Sequence, residues 1–399
     1  MAYNISTDIF SEYINLSVTG MSVDYSNATT ISYCTLETLN ARETRRRIVP
    51  LAYLTMIMIF GIPGNILIMF IYTTKYQKKA THRTFVVALA LTDFLVCILT
   101  IPFEIGQMTH EVTFYAGWLC KFGRTLSAIF TTASALILVA LSANRYRRIC
   151  FPLRTQLRKS HALKCLGYIA CISVLLSWPE GIFSGLKLDY LGNNQTSHDC
   201  SNDDEYSNTN YPMIYSLTIL VIYILCMVSL LIMCFLIGRE ILRHDEFRNQ
   251  FRSSNMLSTI HQTKSINTQN AIERNFEKTV NEEEERTRLQ KTAKSTQITK
   301  KLESPINVTT TSLVVSIFFF VGFLPYLVIK LIAAVTEGDI MPPCQLASIL
   351  LPTMSRTHFL NNVANFIIYL CMDVSFRRNC KAIFTKASSN VFRFVKIYW

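Results

Sequence analysis

Seven long stretches of this chain are almost free of charge, and no other feature limits its fold as strongly. A helix rises about 1.5 Å per residue, so about 20 apolar residues cross the roughly 30 Å hydrocarbon core of a bilayer. Ile48–Tyr72 and Tyr211–Gly238 carry no charged residue at all. Phe85–Gln107 carries Asp93 and Glu104, and a run from about Trp118 to Tyr146 has Lys121 and Arg124 near its start. Leu163–Ser184, Val308–Val335 with Lys330, and Leu346–Met372 with Arg356 complete the set. Composition agrees: 50% of the residues are hydrophobic and 17% charged, against about 25% charged in an ordinary soluble domain. The expected fold is an all-α membrane protein, a seven-transmembrane helix bundle over residues 48–372. A tail, 1–47, precedes it, and 373–399 follows with a short amphipathic helix. No basic-then-apolar leader precedes Ile48, so the first run is expected to direct its own insertion.

Lys and Arg set the orientation, because cytoplasmic connections are enriched in them. The connections 73–83, 145–164 and 239–307, with the tail 372–399, hold 30 of the 39 Lys and Arg. The opposite set, 1–47, 107–117, 185–210 and 336–345, holds five, together with thirteen Asp and Glu. The first set belongs in the cytoplasm, which leaves the N-terminus extracellular. The net charge of +12 is thus a topology signal, and no basic helix or aromatic–basic sheet pattern supports nucleic-acid binding. Arg42, Arg45, Arg46 and Arg47 lie on the wrong side for this rule and are outvoted. Glycosylation sequons at Asn4, Asn15, Asn27 and Asn194 all fall outside, as the orientation requires. The loop 239–307 is polar, and helical extensions at its ends with a disordered middle are expected.

The chain has twelve cysteines but no C-x-x-C pair, and its seven histidines lack metal-ligand spacing, so no zinc site is expected. Cys34, Cys120, Cys200 and Cys344 lie on the oxidising side. Four cysteines allow three connectivities, and arithmetic does not choose among them. The preferred pairing is Cys120–Cys200, tying the third run to the second outer loop, with Cys34–Cys344 pinning the tail to the third outer loop. Cys380, just past the last run, reads either as an S-palmitoylation site or as a plain buried thiol.

Local motifs narrow the class. In order, one per segment, stand Gly61-Ile-Pro-Gly-Asn65, Leu89-Ala-Leu-Thr-Asp93 and Trp118-Leu-Cys120. Asn144-Arg-Tyr-Arg-Arg-Ile-Cys-Phe-Pro-Leu153, Phe319-Phe-Val-Gly-Phe-Leu-Pro-Tyr326 and Asn365-Phe-Ile-Ile-Tyr369 follow. Over about residues 45–385 the chain resembles the rhodopsin-like (class A) family of G-protein-coupled receptors, and its overall texture is similar to that of neuropeptide receptors. Ile149-Cys-Phe-Pro-Leu and Ser160-His-Ala-Leu-Lys are similar to the cholecystokinin-like group.

The resemblance implies a non-enzymatic plasma-membrane receptor that activates a heterotrimeric G protein and meets arrestin, with no required cofactor. It implies a switch built on Asn144, Arg145, Tyr146, Phe319, Phe323, Pro325, Asn365 and Tyr369. Arg145 first locks the resting state and then meets the G protein. Pro325, which removes a helical hydrogen bond, kinks the sixth helix so that its inner half swings out, with Phe323 as the toggle. Asp93 with Ser134, Asn361 and Asn365 forms a mid-membrane cluster that, in the family, holds an allosteric sodium ion; a polar cluster that only packs helices is the plainer alternative.

Departures mark a divergent member. Asn144 stands where most members have Asp or Glu, so either basal activity rises or an amide contact replaces the lock. Phe366 replaces the seventh-helix proline, and Phe323 replaces the tryptophan before Pro325. The retinal lysine and the aminergic aspartate are absent, their positions holding Phe359 and Ser127. Glu104, Arg124, Glu180, Lys330 and Arg356, with Ser127, are the candidate ligand contacts. Charges there suit a peptide, drawn in by the acidic loops if it is basic and met deeper in by a cation if it carries a carboxylate. The plainer alternative is that these charges pair with one another. A membrane transporter and a silent or decoy receptor are the competing classes; the absence of an internal repeat counts against the first.

Overall fold

The computed structural model describes residues 36–74, 81–190, 196–206, 209–269, 311, 313–332, 345–383 and 385. Among them, six helices are long and apolar enough to cross a membrane. They are Ile48–Thr74, Thr81–Thr109, Gly117–Cys150, Lys159–Phe183, Tyr211–Arg243 and Leu313–Ile332. The fifth helix runs on past its apolar stretch to Gln269, a helical extension into the 239–307 loop. The seventh crossing is broken. Gln345–Met354 ends near Pro352, a 3-10 turn spans Thr357–Leu360, and the helix resumes over Asn361–Met372. The fold is the expected one.

The second span also departs from a plain helix. Pro102 has no N–H to donate, and its ring would crowd the preceding turn. A π segment, Val96–Thr100, absorbs this, with Ile101 N–H bonding to the Val96 carbonyl five residues back. One extra residue turns the outer half by about 100° relative to the inner half. Asp93 therefore faces the middle of the bundle while Glu104 faces the outer cavity.

The third span packs against the second, fourth and fifth. Leu138, Leu220, Met227, Leu230, Phe319 and Phe323 form the central core. A second cluster at the inner end joins Tyr72, Phe85, Tyr369, Phe376 and Cys380. Past the last span, Thr357–Met372 meets a short helix, Val374–Ile383, at 95°. Asp373 caps that helix, its Oδ1 accepting the Phe376 N–H at 3.0 Å. Phe376 and Cys380 anchor it by burial. Cys380 is buried in the same cluster as the Tyr72, Tyr369 and Phe376 rings.

Two segments are more ordered than the sequence implied. The second outer loop is an antiparallel hairpin, β1 Ser184–Tyr190 and β2 Thr196–Asn202, with Leu186 opposite Cys200. The disulfide Cys120–Cys200 fastens it to the third span, with the Cα atoms 5.6 Å apart. Gln107 Nε2 also donates to the Cys200 carbonyl at 2.7 Å. Before the first span, Leu36–Arg46 is a helix, although residues 1–47 read as a tail. Asn40 Nδ2 and Thr44 Oγ1 both donate to the Thr109 carbonyl, at 2.7 and 3.2 Å. Arg47 is ion-paired with Glu111 and Arg46 with Glu43, which answers the misplaced arginines: two of the four are neutralised locally. Cys34, Cys344, the four sequons and the middle of the 239–307 loop lie outside the described residues.

Candidate functional site

At the outer end the helices enclose a cavity of about 320 Å³. All six residues singled out for ligand contact line it: Glu104, Arg124, Ser127, Glu180, Lys330 and Arg356. Four of the five charges are paired across helices. Arg124, from the third span, donates to Glu180 Oε1 through Nη2 at 2.9 Å and to Ser184 Oγ through Nε at 2.8 Å. Arg356, at the break in the seventh crossing, donates through Nε to Glu104 Oε2 at 3.0 Å. Lys330 is left over. Among the described residues no carboxylate lies within ion-pair distance of it, and its ammonium sits 5.9 Å from the centre of the Tyr326 ring. The cavity thus carries a net unit of positive charge, focused where a cation–π contact is its nearest support.

The rim is tied down by charge as well. Lys121 Nζ lies 2.9 Å from Asp203 Oδ2, and this hydrogen bond holds the Asp203 carboxyl below the usual range. Burial pushes Glu111 up, against the lowering effect of Arg47, and burial likewise raises Asp199 on β2.

His358 is the floor of the cavity. It lies 4.3 Å from Tyr326 and 5.7 Å from Phe323, ring centre to ring centre, and also lines the smaller cavity below. Nothing in the sequence singled it out, because a lone histidine in an apolar run reads as packing. Phe323 itself stacks on Phe319 at 4.3 Å and meets Tyr223 edge-on at 5.9 Å. The expected toggle therefore sits in an aromatic column between the outer cavity and the inner half.

Below that column, Asp93 is 2% exposed and accepts a hydrogen bond from Asn365 Nδ2 at 2.8 Å. A cavity of about 20 Å³ brings it together with Ser134, Asn361 and Asn365. Among the described residues, Ser134 Oγ and Asn361 Nδ2 are buried there without a hydrogen-bond partner. A carboxylate, a hydroxyl and amide oxygens around such a space suit a small hard cation with water, whose ligands are oxygens.

At the inner end, Arg145 is buried and its Nη2 lies 3.1 Å from His82 Nε2. Asn144 is buried too, and its Nδ2 has no hydrogen-bond partner among the described residues. Tyr369, whose hydroxyl is buried and unpartnered, lies 5.7 Å from Tyr72, ring to ring. Tyr146 turns outward against Phe151 at 5.8 Å. His82 was missed by the sequence reading. The one signal for it was negative: without a carboxylate at 144, the partner of Arg145 has to come from another helix.

A broken seventh crossing, a disulfide-anchored outer hairpin and a buried arginine at the inner end of the third span define a polytopic receptor-type bundle. The family model described as 7 transmembrane receptor (rhodopsin family) matches residues 64–369, and the chain belongs to that family. It is 30% identical over 148 residues to the cholecystokinin receptor type A of Oryctolagus cuniculus, covering 37% of this chain and 35% of that protein. The human cholecystokinin receptor type A is 28% identical over the same length and shares. Neuromedin-U receptor 2 of Rattus norvegicus is 29% identical over 204 residues, 50% of this chain and 51% of that one. The chain thus spans about a third to a half of the length of these curated relatives.

Proposed function

We propose that the chain is a peptide-activated G-protein-coupled receptor of the plasma membrane, with its N-terminus outside. The observation that carries this is the continuity from a charged outer cavity, through the Tyr326–His358–Phe323–Phe319 column, to Arg145 at the inner end. The named relatives are receptors for peptides, and the Lys/Arg asymmetry of the connections supports the orientation.

The ligand enters past acidic loops and presents a carboxylate or other anionic group to Lys330, which has no carboxylate within ion-pair distance among the described residues. Its arrival competes with the Arg124–Glu180 and Arg356–Glu104 pairs and shifts the aromatic column. The sixth helix, weakened at Pro325, then swings its inner half outward, and Arg145 and Tyr369 receive the G protein. Arrestin uses the same inner face. Asp93, Ser134, Asn361 and Asn365 would hold a sodium ion, whose charge would favour the resting packing and oppose agonist.

Screening a library of secreted and synthetic peptides against cells expressing the chain and a panel of heterotrimeric G proteins tests this reading. A peptide-dependent response is expected. Arg145→Ala should abolish it while surface delivery stays largely intact. Full signalling by that variant removes Arg145 from the mechanism, and no response to any peptide or G protein favours a silent receptor.

A further inference from the structure

We propose that His82 is the positioning residue that holds Arg145 in the resting receptor, in place of the carboxylate that Asn144 does not supply. The inference rests on the coupling role proposed for Arg145.

The chemistry of the contact fixes the state of the ring. A guanidinium has only donors, so His82 Nε2, 3.1 Å from Arg145 Nη2, must be the acceptor. The ring is then neutral with its proton on Nδ1, since an imidazolium would set one N–H against another. That Nδ1 is buried with no partner, so the ring is held where it is by Arg145 and by packing. The packing is specific. The ring of His82 meets Tyr72 at 89° with centres 6.5 Å apart. Tyr72 in turn contacts Tyr369 and Phe376, at 5.7 and 6.4 Å, and its hydroxyl lies 3.4 Å from Asp373 Oδ2. His82 therefore ties Arg145 to an aromatic patch shared by the first, second and seventh spans and the short helix that follows.

This arrangement predicts a softer lock. A neutral imidazole accepts a weaker hydrogen bond from a guanidinium than a carboxylate does. It also anchors the arginine to the second span instead of to its own helix. Release then requires Arg145 to leave His82 together with the pull of Tyr72 and the Asp373 carboxylate, and Tyr369, whose hydroxyl has no hydrogen-bond partner among the described residues, stands near enough to act on it.

The test uses the full chain in membranes with purified heterotrimers, measuring ligand-free nucleotide exchange normalised to surface number, and exchange with the peptide library. His82→Leu, which removes the acceptor, should raise ligand-free exchange several-fold. His82→Gln, which keeps an amide oxygen as acceptor, should stay near wild type. Asn144→Asp added to His82→Leu should return the rate toward wild type by restoring a carboxylate. A residue that only packs would lower surface number and stimulated signal in both single variants without raising the ligand-free rate. An unchanged ligand-free rate in His82→Leu, with peptide-stimulated exchange preserved, overturns the role of His82 alone. An equal rise in His82→Gln, unrelieved by Asn144→Asp, also overturns it. No exchange by the wild type under any condition overturns the coupling reading and His82 with it.

Discussion

Arg356 and Glu104, 252 residues apart in the chain, meet at 3.0 Å across the outer cavity. Both side chains are only 16% exposed, so the pair closes the seventh crossing against the second span at the point where the seventh helix is broken. Removing one partner leaves a charge poorly solvated, whereas removing both does not; for buried pairs the single loss runs to about 3–5 kcal/mol. Glu104→Gln and Arg356→Gln should each lower the melting temperature of the detergent-solubilised protein. The double variant should be more stable than the sum of the two losses implies. Simple additivity would show that the two groups do not support one another.

The hairpin makes a second demand. β1 and β2 are joined to the third span by the Cys120–Cys200 bond, which closes a loop with a sequence separation of 80. Losing a native disulfide typically costs about 2–5 kcal/mol. Cys120→Ser or Cys200→Ser should therefore reduce surface delivery several-fold, read by antibody to a tag at the N-terminus. Equal surface numbers would mean that Gln107 and the first outer loop hold the hairpin without the bond.

The seven crossings were legible because a bilayer admits no other reading of runs that long and that poor in charge. The pocket residues were legible for the same reason: Glu104, Arg124, Glu180, Lys330 and Arg356 are conspicuous in apolar surroundings. Their pairing was not. Nothing in a linear pattern says that Arg124 takes Glu180 and Arg356 takes Glu104, or that Lys330 is left over, because those choices depend on helix rotation and on the π segment at Val96–Thr100. The hairpin was missed because Ser197, His198, Asp199 and Ser201 on β2 offer no apolar alternation; its pairing to β1 and its disulfide carry it instead. The helix Leu36–Arg46 was missed because no residue of it is buried, and it docks by hydrogen bonds from Asn40 and Thr44. Phe366, in the place of the family's proline, became intelligible only in three dimensions: a Cβ on Gly64 would lie 2.6 Å from its ring, so a glycine opposite is what admits the phenyl group.

That contact gives a third prediction. Gly64→Ala should force the Phe366 ring to move, a small-to-large change in a packed interior that typically costs about 1–3 kcal/mol. In a Phe366→Ala background, which empties the space without touching the backbone, the same Gly64→Ala change should cost much less thermal stability than it does in the wild type. No loss in the single variant would mean that the first and seventh spans separate more easily than their packing indicates.

The mid-membrane cluster is tested by its dependence on salt. If Asp93, Ser134, Asn361 and Asn365 hold sodium in the resting state, agonist affinity falls as sodium replaces a large organic cation at constant ionic strength. Asp93→Asn should flatten that dependence, and Ser134→Ala should weaken it. An unchanged sodium response in Asp93→Asn would leave the cluster as a purely structural network, with Asn365 as its main link to the seventh span.

The last prediction concerns Glu111, on the outer side, whose carboxyl is raised by burial more than Arg47 lowers it, with Asp199 and Glu43 adding to the rise. An acid with a raised folded-state value binds its proton more tightly folded than unfolded. Its contribution to stability is therefore fullest below the ordinary glutamate value of about 4.3. It is lost as pH rises from there through the raised value. Glu111→Gln mimics the protonated form at every pH and avoids that loss. Its melting temperature relative to wild type should therefore climb as the pH is taken from acid to neutral. If wild type instead gains on the variant over that range, the charge pair with Arg47 outweighs the burial of Glu111, and the first outer loop is held to the pre-membrane helix chiefly by that ion pair.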